Sequence, residues 1–424
     1  MIKELQIRPF ARPLLVWMVG IMLQAVFPVG AYSIILLLLP LCVLLVSCLL
    51  SRGQGRFCYE TRWLWGAVFV CLLLFLSIQK TAYSQTAMDS EHTESSLLTF
   101  AHEEQLRLLE PFEKLKLTDE EKSVLATLTV GYREAMDRNV RKRFSATGVA
   151  HLLAVSGFHV AIVCGFLSFL LSILPRNEPF RWIRYILTVM LLWSFVAITG
   201  LAASAVRAGL MLTLYLTGRL LGRLAERYNI LAASAFCMLV YEPLYLFDIG
   251  FQLSYLAVFS ILYFQPRLQQ LIKVRNPILR APWEGITVTL SAQVGTTFLC
   301  LYYFGQFSTV FLLTNLPLTF LATLLIPAGL VWMLLPEGCP GYGLLQVGVE
   351  WLTRGLLWIV DNFSEVQGAV FSFRFDLLAM LAAYGILLFS LLYVRSKRSP
   401  YLFAALFLVL IMFIVRLIGN LKQC

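Results

Sequence analysis

The chain has 424 residues and a formal charge of +10, yet only 14% of its residues are charged and 59% are hydrophobic, with a mean hydropathy of +0.78. A water-soluble domain carries about 25% charged residues to wet its surface, so the two or three soluble domains suggested by length are excluded. Apolar runs near the roughly 20 residues needed to cross about 30 Å of hydrocarbon recur along almost the whole sequence, which predicts an all-α, polytopic integral membrane protein.

In chain order, about twelve spans are expected, near 13–29, 31–50, 63–80, 149–174, 182–199, 201–222, 229–241, 243–264, 285–304, 307–335, 376–394 and 400–418. The first has a basic start and an apolar stretch ending near Val29-Gly30-Ala31, as a cleaved signal would. A second apolar run follows at once, so an uncleaved first span is expected. The segment 344–363 carries Glu350, Arg354 and Asp361 within apolar sequence and fits either a span or an amphipathic helix along the interface.

The basic residues follow topology. Three precede the first span (Lys3, Arg8, Arg12), three lie in each of the loops 51–62, 175–184, 219–228 and 395–399, and four lie in 265–284. The short loops around residues 30, 200, 242–248 and 305 have no Lys or Arg. Alternation of this kind is the positive-inside pattern. It predicts a cytoplasmic N-terminus with these basic loops on the same side, and its parity favours a crossing at 344–363. Net charge is therefore no argument for nucleic acid.

Three regions result: N-terminal membrane helices at 1–80, an extracytoplasmic polar segment at 81–147, and a membrane domain at 148–424. The polar segment is nearly neutral, but Arg138, Arg141, Lys142 and Arg143 stand beside a span on the side where the charge rule disfavours them. Thr118-Asp119-Glu120-Glu121 reads as a capping box opening a helix, with Val124, Leu125, Leu128, Tyr132 and Met136 at helical spacing.

The nine cysteines are scattered without a CxxC pair, Cys58 and Cys424 among them, and the four histidines form no Cys/His cluster. Neither a disulfide nor a metal or other cofactor is expected.

Polar groups within spans are costly and so are candidate functional residues. In HLLAVSGFHV, His151, Ser156 and His159 are spaced to line one sector of a helix, and the Ser/His pair fits either a nucleophile with its base or polar groups lining a wet cavity. In GLAASAVRAGLML, Gly200, Ser204 and Ala208 recur at four-residue intervals for close helix approach. Arg207 in the same stretch requires an anionic partner, either Asp248 or Glu242, or an anionic substrate held through two hydrogen bonds. In YEPLYLFDIGFQLSYL, Asp248 and Gln252 share a face, and Asp248 is expected to pair with Arg207. Asn315 precedes Pro317, where either a broken helix or a proline kink is expected.

The runs HLLAVSGFHV, ITGLAASAVRAGLML, EPLYLFDIGFQLSYLAVFSI and TNLPLTFLATLLIPAGL, with TLTVGYREAM ahead of them, resemble in order and spacing the ComEC competence-protein family over roughly residues 120–335. The resemblance implies an inner-membrane channel that admits one strand of transforming DNA. By position it implies that His151, Ser156 and His159 belong to an SGxHV-type motif, Ser204 and Arg207 to S-x-x-R-A, Asp248 and Gln252 to D-x-G-F-x-L-S, and Asn315 to N-x-P. Larger members resemble a three-part machine with an OB-like domain and a metallo-β-lactamase-like nuclease, and this sequence is expected to lack both. It also has no GxxxxGK[ST] motif. The resemblance therefore implies single-stranded DNA and membrane lipids as partners, with a DNA receptor, a helicase-like cytoplasmic motor and a separate nuclease, and a chain that is not itself an enzyme. Two other readings remain open: a transporter of a small or lipid-linked anion anchored on Arg207, and an intramembrane hydrolase using Ser156 and His159.

Overall fold

A computed structural model describes residues 8–28, 30, 32–50, 62–88, 103–175, 177–222 and 226–421. Most of the basic loop 51–62, part of 81–147, Arg176, Arg223, Cys58 and Cys424 lie outside the described residues.

Helix dominates, as the sequence predicts. The helices are α1 (Ala11–Val26), α2 (Ile34–Leu50), α3 (Arg62–Met88), α4 (Asp119–Thr129), α5 (Arg138–Ala146), α6 (Ala150–Leu153), α7 (Gly157–Leu170), α8 (Glu178–Ile198), α9 (Ala203–Leu220), α10 (Arg227–Tyr241), α11 (Ile249–Leu271), α12 (Pro277–Tyr303), α13 (Phe311–Leu334), α14 (Tyr342–Ser364), α15 (Leu377–Ser396) and α16 (Ser399–Leu421). Among the described residues, strand is confined to β1 (Gln306–Ser308) and β2 (Val370–Ser372), an antiparallel pair with Phe307 opposite Phe371.

Among the described residues, six helices are long and apolar enough to cross a membrane: Trp63–Ala87, Glu178–Ile198, Ile249–Leu271, Pro277–Tyr303, Phe311–Leu334 and Leu377–Ser396. Shorter apolar helices occupy Ala11–Val26, Gly157–Ile173 and Ser399–Ile414. The chain is thus a multi-pass helical membrane protein. The run at 243–264 is a 3-10 turn, Pro243–Phe247, followed by α11. The run at 149–174 is likewise divided: α6 ends at Leu153 and α7 starts at Gly157.

Two compact units are present. The first comprises Met1–Met136, Leu152–Leu262 and Ala322–Thr353. In it α1 buries Trp17, Ile21 and Gln24, with Gly20 beside them on the same face. The indole of Trp17 donates to the Leu239 carbonyl at 3.0 Å, and Ser77 donates to the Trp17 carbonyl at 2.7 Å. A Cβ at Gly20 would stand 2.7 Å from the Ser77 hydroxyl oxygen, so glycine permits this approach. A second apolar cluster joins Val160 and Val163 of α7, Leu192, Phe195 and Val196 of α8, Ala205 of α9, and Ala322 and Ile326 of α13.

The polar segment packs in the same unit. Thr118 accepts from the Glu121 amide at 3.2 Å, while Glu121 accepts from the Thr118 amide at 2.8 Å, so the predicted capping box is real. Val124, Leu125 and Leu128 are buried as expected, but α4 stops at Thr129, and Tyr132 and Met136 lie beyond its end. Facing it, Glu350 of α14 is buried and accepts from the Lys116 amide at 2.9 Å, and Lys114 pairs with Glu337. That contact raises the Lys114 pKa, because the carboxylate favours the charged ammonium.

The second unit comprises Asp137–His151, Tyr263–Leu321 and Arg354–Cys424. Helices α15 and α16 pack as an antiparallel pair, and the Tyr384 hydroxyl donates to the Gly295 carbonyl of α12 at 2.7 Å. The basic helix α5 buries Val140 and Phe144 and ends in Thr147-Gly148. There Thr314 donates to the Thr147 carbonyl at 2.7 Å, and Gly148 sits against Ser308 of β1 at a φ of +78°.

Candidate functional site

Helix α9 carries the central residues of the first unit. Its first turn approaches α7 closely: Ser204 donates to the Val155 carbonyl, and a Cβ on Gly157 would lie 3.3 Å from the Ala208 Cβ. Small residues four apart therefore serve helix contact, as their spacing predicts, but Gly200 is not part of that stripe. It lies in the turn between α8 and α9 at a φ of +73°, followed by Leu201 at +51°.

One turn after Ser204, Arg207 is 3% exposed. Its Nη1 lies 3.9 Å from Asp248 Oδ2, and its Nε is buried without a hydrogen-bond partner. A separation of 3.9 Å is an ionic contact rather than a hydrogen bond, so the guanidinium is held by charge while part of its donor set stays unused. A charge in a span costs about 2.5–3.5 kcal/mol at the helix centre, and the flanking Val206 and Leu210 belong to a cluster with Phe251, Tyr245 and Tyr255 that offers little compensation.

Asp248 is fixed from its own side. It is the residue before α11, and its Oδ2 accepts from the Phe251 amide at 2.7 Å, a helix cap by an acidic side chain. Gly250 makes room for the pair, since a Cβ there would stand 3.1 Å from Asp248 Oδ2 and 3.5 Å from Arg207 Nη2. Gln252 shares the turn, its backbone amide donating to the Asp248 carbonyl at 3.0 Å and its side-chain amide to the Leu246 carbonyl at 2.9 Å. The capping role of Asp248 was readable in the sequence as an acidic residue immediately before an apolar run. Glu242, the alternative partner, instead accepts from the Leu244 amide at 3.1 Å.

Ser156 and His159 also meet. The Ser156 Oγ lies 2.9 Å from His159 Nδ1, and the Ser156 amide donates to the same nitrogen at 3.3 Å. A backbone N–H only donates, so Nδ1 is the unprotonated nitrogen and the hydroxyl also donates to it. The pair forms the capping box of α7, with the histidine at the third helical position reaching back to the cap. His151, Ser156 and His159 do not line one helix sector as expected, because the helix is interrupted between Leu153 and Gly157. His151 is in α6 in the second unit, bonded to the Gly148 backbone.

Asn315 is also in the second unit. Its amide donates to Thr289 of α12 at 2.8 Å, and its oxygen accepts from Thr319 at 3.2 Å. Helix α13 runs unbroken through Pro317, so of the two alternatives at Asn315 the broken helix does not occur. Among the described residues, no group of three or more His, Cys, Asp or Glu residues could hold a metal ion.

A family model described as Competence protein matches residues 128–398. The ComE operon protein 3 of Bacillus subtilis strain 168 is 29% identical over 285 residues, covering 65% of this chain and 34% of that protein. The chain spans about a third of the length of this curated relative. No solved structure matches.

Proposed function

The chain belongs to the competence-protein family, and on that premise we propose that it is a channel through which one strand of DNA crosses the cytoplasmic membrane. The carrying observation is Arg207, a cation buried in an apolar setting, held at ionic distance from Asp248 and with its Nε unbonded. A guanidinium in this state offers a passing phosphate a charge-assisted hydrogen bond that is weak enough to release, as conduction requires.

Ser156, His159 and Ser204 shape the neighbouring junction of α7 with α9, and Gln252 supports the Asp248 turn. His151 and Asn315 are proposed as polar positions of the second unit. The N-terminus and the loops 51–62, 175–184, 219–228 and 265–284 face the cytoplasm, and 81–147 faces outward. Delivery of DNA to the channel, the driving force and the degradation of the second strand fall to a receptor, a motor and a nuclease in other proteins. The Ser156–His159 contact supports helix capping better than hydrolysis, because both groups are engaged in the cap.

Deleting the gene in a competent host tests the proposal. Transformation frequency and entry of labelled DNA into the cytoplasm are expected to fall together, with surface-bound DNA retained. Undiminished transformation overturns it, and loss of small-anion uptake alone favours the transporter reading.

A further inference from the structure

The second unit contains an arrangement that the Arg207 site does not use. From within β2 onward the chain reads Phe371-Ser372-Phe373-Arg374-Phe375, and alternate side chains of an extended segment share one face. The rings form a ladder: Phe371 and Phe373 are 6.0 Å apart and nearly parallel, Phe373 and Phe375 are 5.4 Å apart edge to face, and Phe375 stacks on Phe298 of α12 at 6.3 Å. The segment is anchored by its backbone, with the Phe373 amide donating to the Gly305 carbonyl at 2.9 Å and the Phe375 amide to the Leu301 carbonyl at 3.2 Å. The outermost ring, Phe371, is 57% exposed.

Cations occur in the same unit, on the helix whose end meets β1. Val370 of β2 pairs with Ser308 of β1, and Ser308 is the residue against which Gly148 closes the end of α5. Helix α5 presents Arg138, Arg141 and Lys142 on its exposed side, and Arg374, on the face of the segment opposite the rings, is exposed with its stem against Gly305. Among the described residues Arg138, Lys142 and Arg374 form no ion pair. Two of the nearby acids are engaged, Asp361 with Arg143 and Asp376 in capping α15 by accepting from the Ala379 amide at 2.9 Å, while Asp137 directly precedes Arg138.

We infer that the exposed face of α5 and the Phe371 end of this segment form one docking surface for single-stranded nucleic acid, with Arg138 and Lys142 on its phosphates and Phe371 stacking on its bases. Cations outside ion pairs together with an exposed aromatic ring are what a sequence-tolerant single-strand site requires. The same surface explains why α5 keeps its charges beside a membrane span against the positive-inside trend. A lipid surface is the poorer occupant. A helix lying on lipid needs an exposed apolar face, and the apolar side of α5 is already buried through Val140 at 1% and Phe144 at 0% exposure.

The choice of nucleic acid as occupant rests on the channel reading, but the test is a binding measurement that does not depend on conduction. The full chain, purified in neutral detergent, is titrated with a fluorescent 20-nucleotide oligo-dT and followed by anisotropy at several salt concentrations. Phe371→Ala is expected to weaken oligo-dT binding about tenfold while leaving duplex binding unchanged, since paired bases offer no free faces; one stacked base is worth roughly 1–3 kcal/mol. Arg138→Gln with Lys142→Gln is expected to make the log–log salt slope shallower by about 1.4, the value for two lost phosphate contacts. These two side chains are exposed, so the variant is expected to retain the melting temperature of the parent. Unchanged affinity and slope in both variants overturn the inference. So does loss of affinity for a fluorescent phosphatidylglycerol with oligo-dT binding intact. If conduction fails but oligo-dT binding follows these expectations, the channel reading falls and the docking surface stands.

Discussion

Arg207 and Asp248 form an asymmetric pair: the arginine side chain is 4% exposed and the aspartate 49%. The two members therefore carry unequal costs when one is removed. Loss of Asp248 strands a buried cation, whereas loss of Arg207 leaves a carboxylate that water already reaches.

Asp248→Ala is expected to reduce the amount of folded protein in the membrane sharply. Removing one partner of a buried pair costs about 3–5 kcal/mol, and the lost cap of α11 adds about 1 kcal/mol. Arg207→Met keeps the volume without the charge, so it is expected to leave protein levels near normal, and in combination with Asp248→Ala to restore much of the loss. Membrane immunoblots with detergent melting curves check this, and equal losses in the two single variants would contradict it.

Arg207→Lys keeps the charge but not the planar fork that binds phosphate through two hydrogen bonds. The expected outcome is normal protein level with DNA entry reduced at least tenfold. Transformation frequency normalised to membrane protein measures it.

Gly131 adopts a φ of +80°, and a Cβ there would stand 2.7 Å from Val155 Cγ2 and 3.2 Å from Thr199 Cβ. Gly131→Ala is expected to lower the melting temperature by several degrees, from about 1–3 kcal/mol of backbone strain plus the overlap. Gly66→Ala, in a helix with open space around that position, serves as the control and is expected to be neutral or slightly stabilising.

Ser156 serves the α7 cap, so Ser156→Ala is expected to cost about 1 kcal/mol in stability. The parent protein is expected to resist labelling by a fluorophosphonate that marks activated serines. Stoichiometric labelling that disappears in His159→Ala would instead establish a nucleophile.

For topology, a single cysteine placed at Glu120 in a cysteine-free background is expected to react with an impermeant maleimide on intact cells. One at Lys273 is expected to react only after lysis. Protection at Glu120, with labelling of Lys273 on intact cells, would invert the orientation.

How far the sequence revealed these features depended on whether the deciding interaction was local. The Thr118 box and the Arg207–Asp248 pair were legible, one because both partners lie within four residues, the other because an intramembrane cation demands a counter-charge. The helix interruption between Leu153 and Gly157 was hidden, since uninterrupted apolar composition masks a cap made by Ser156. Pro317 left a break and a kink open: inside a bundle, neighbouring groups tolerate the lost backbone bond, and α13 continues. The strand at 371–375 carried a period-two signal in Phe-x-Phe-x-Phe, but so short a run beside a span reads as membrane sequence until β1 pairs with it.

The contact between Glu350 and residue 116 has an evolutionary consequence. The carboxylate accepts from a main-chain amide, so it reads the path of the backbone and not the identity of Lys116. Selection on this contact restricts one sequence position where a side-chain pair would couple two, and residue covariation among relatives would pass over it. Proline alone among the twenty residues lacks the donor, so a relative with proline at this position would have to dock α14 by some other contact.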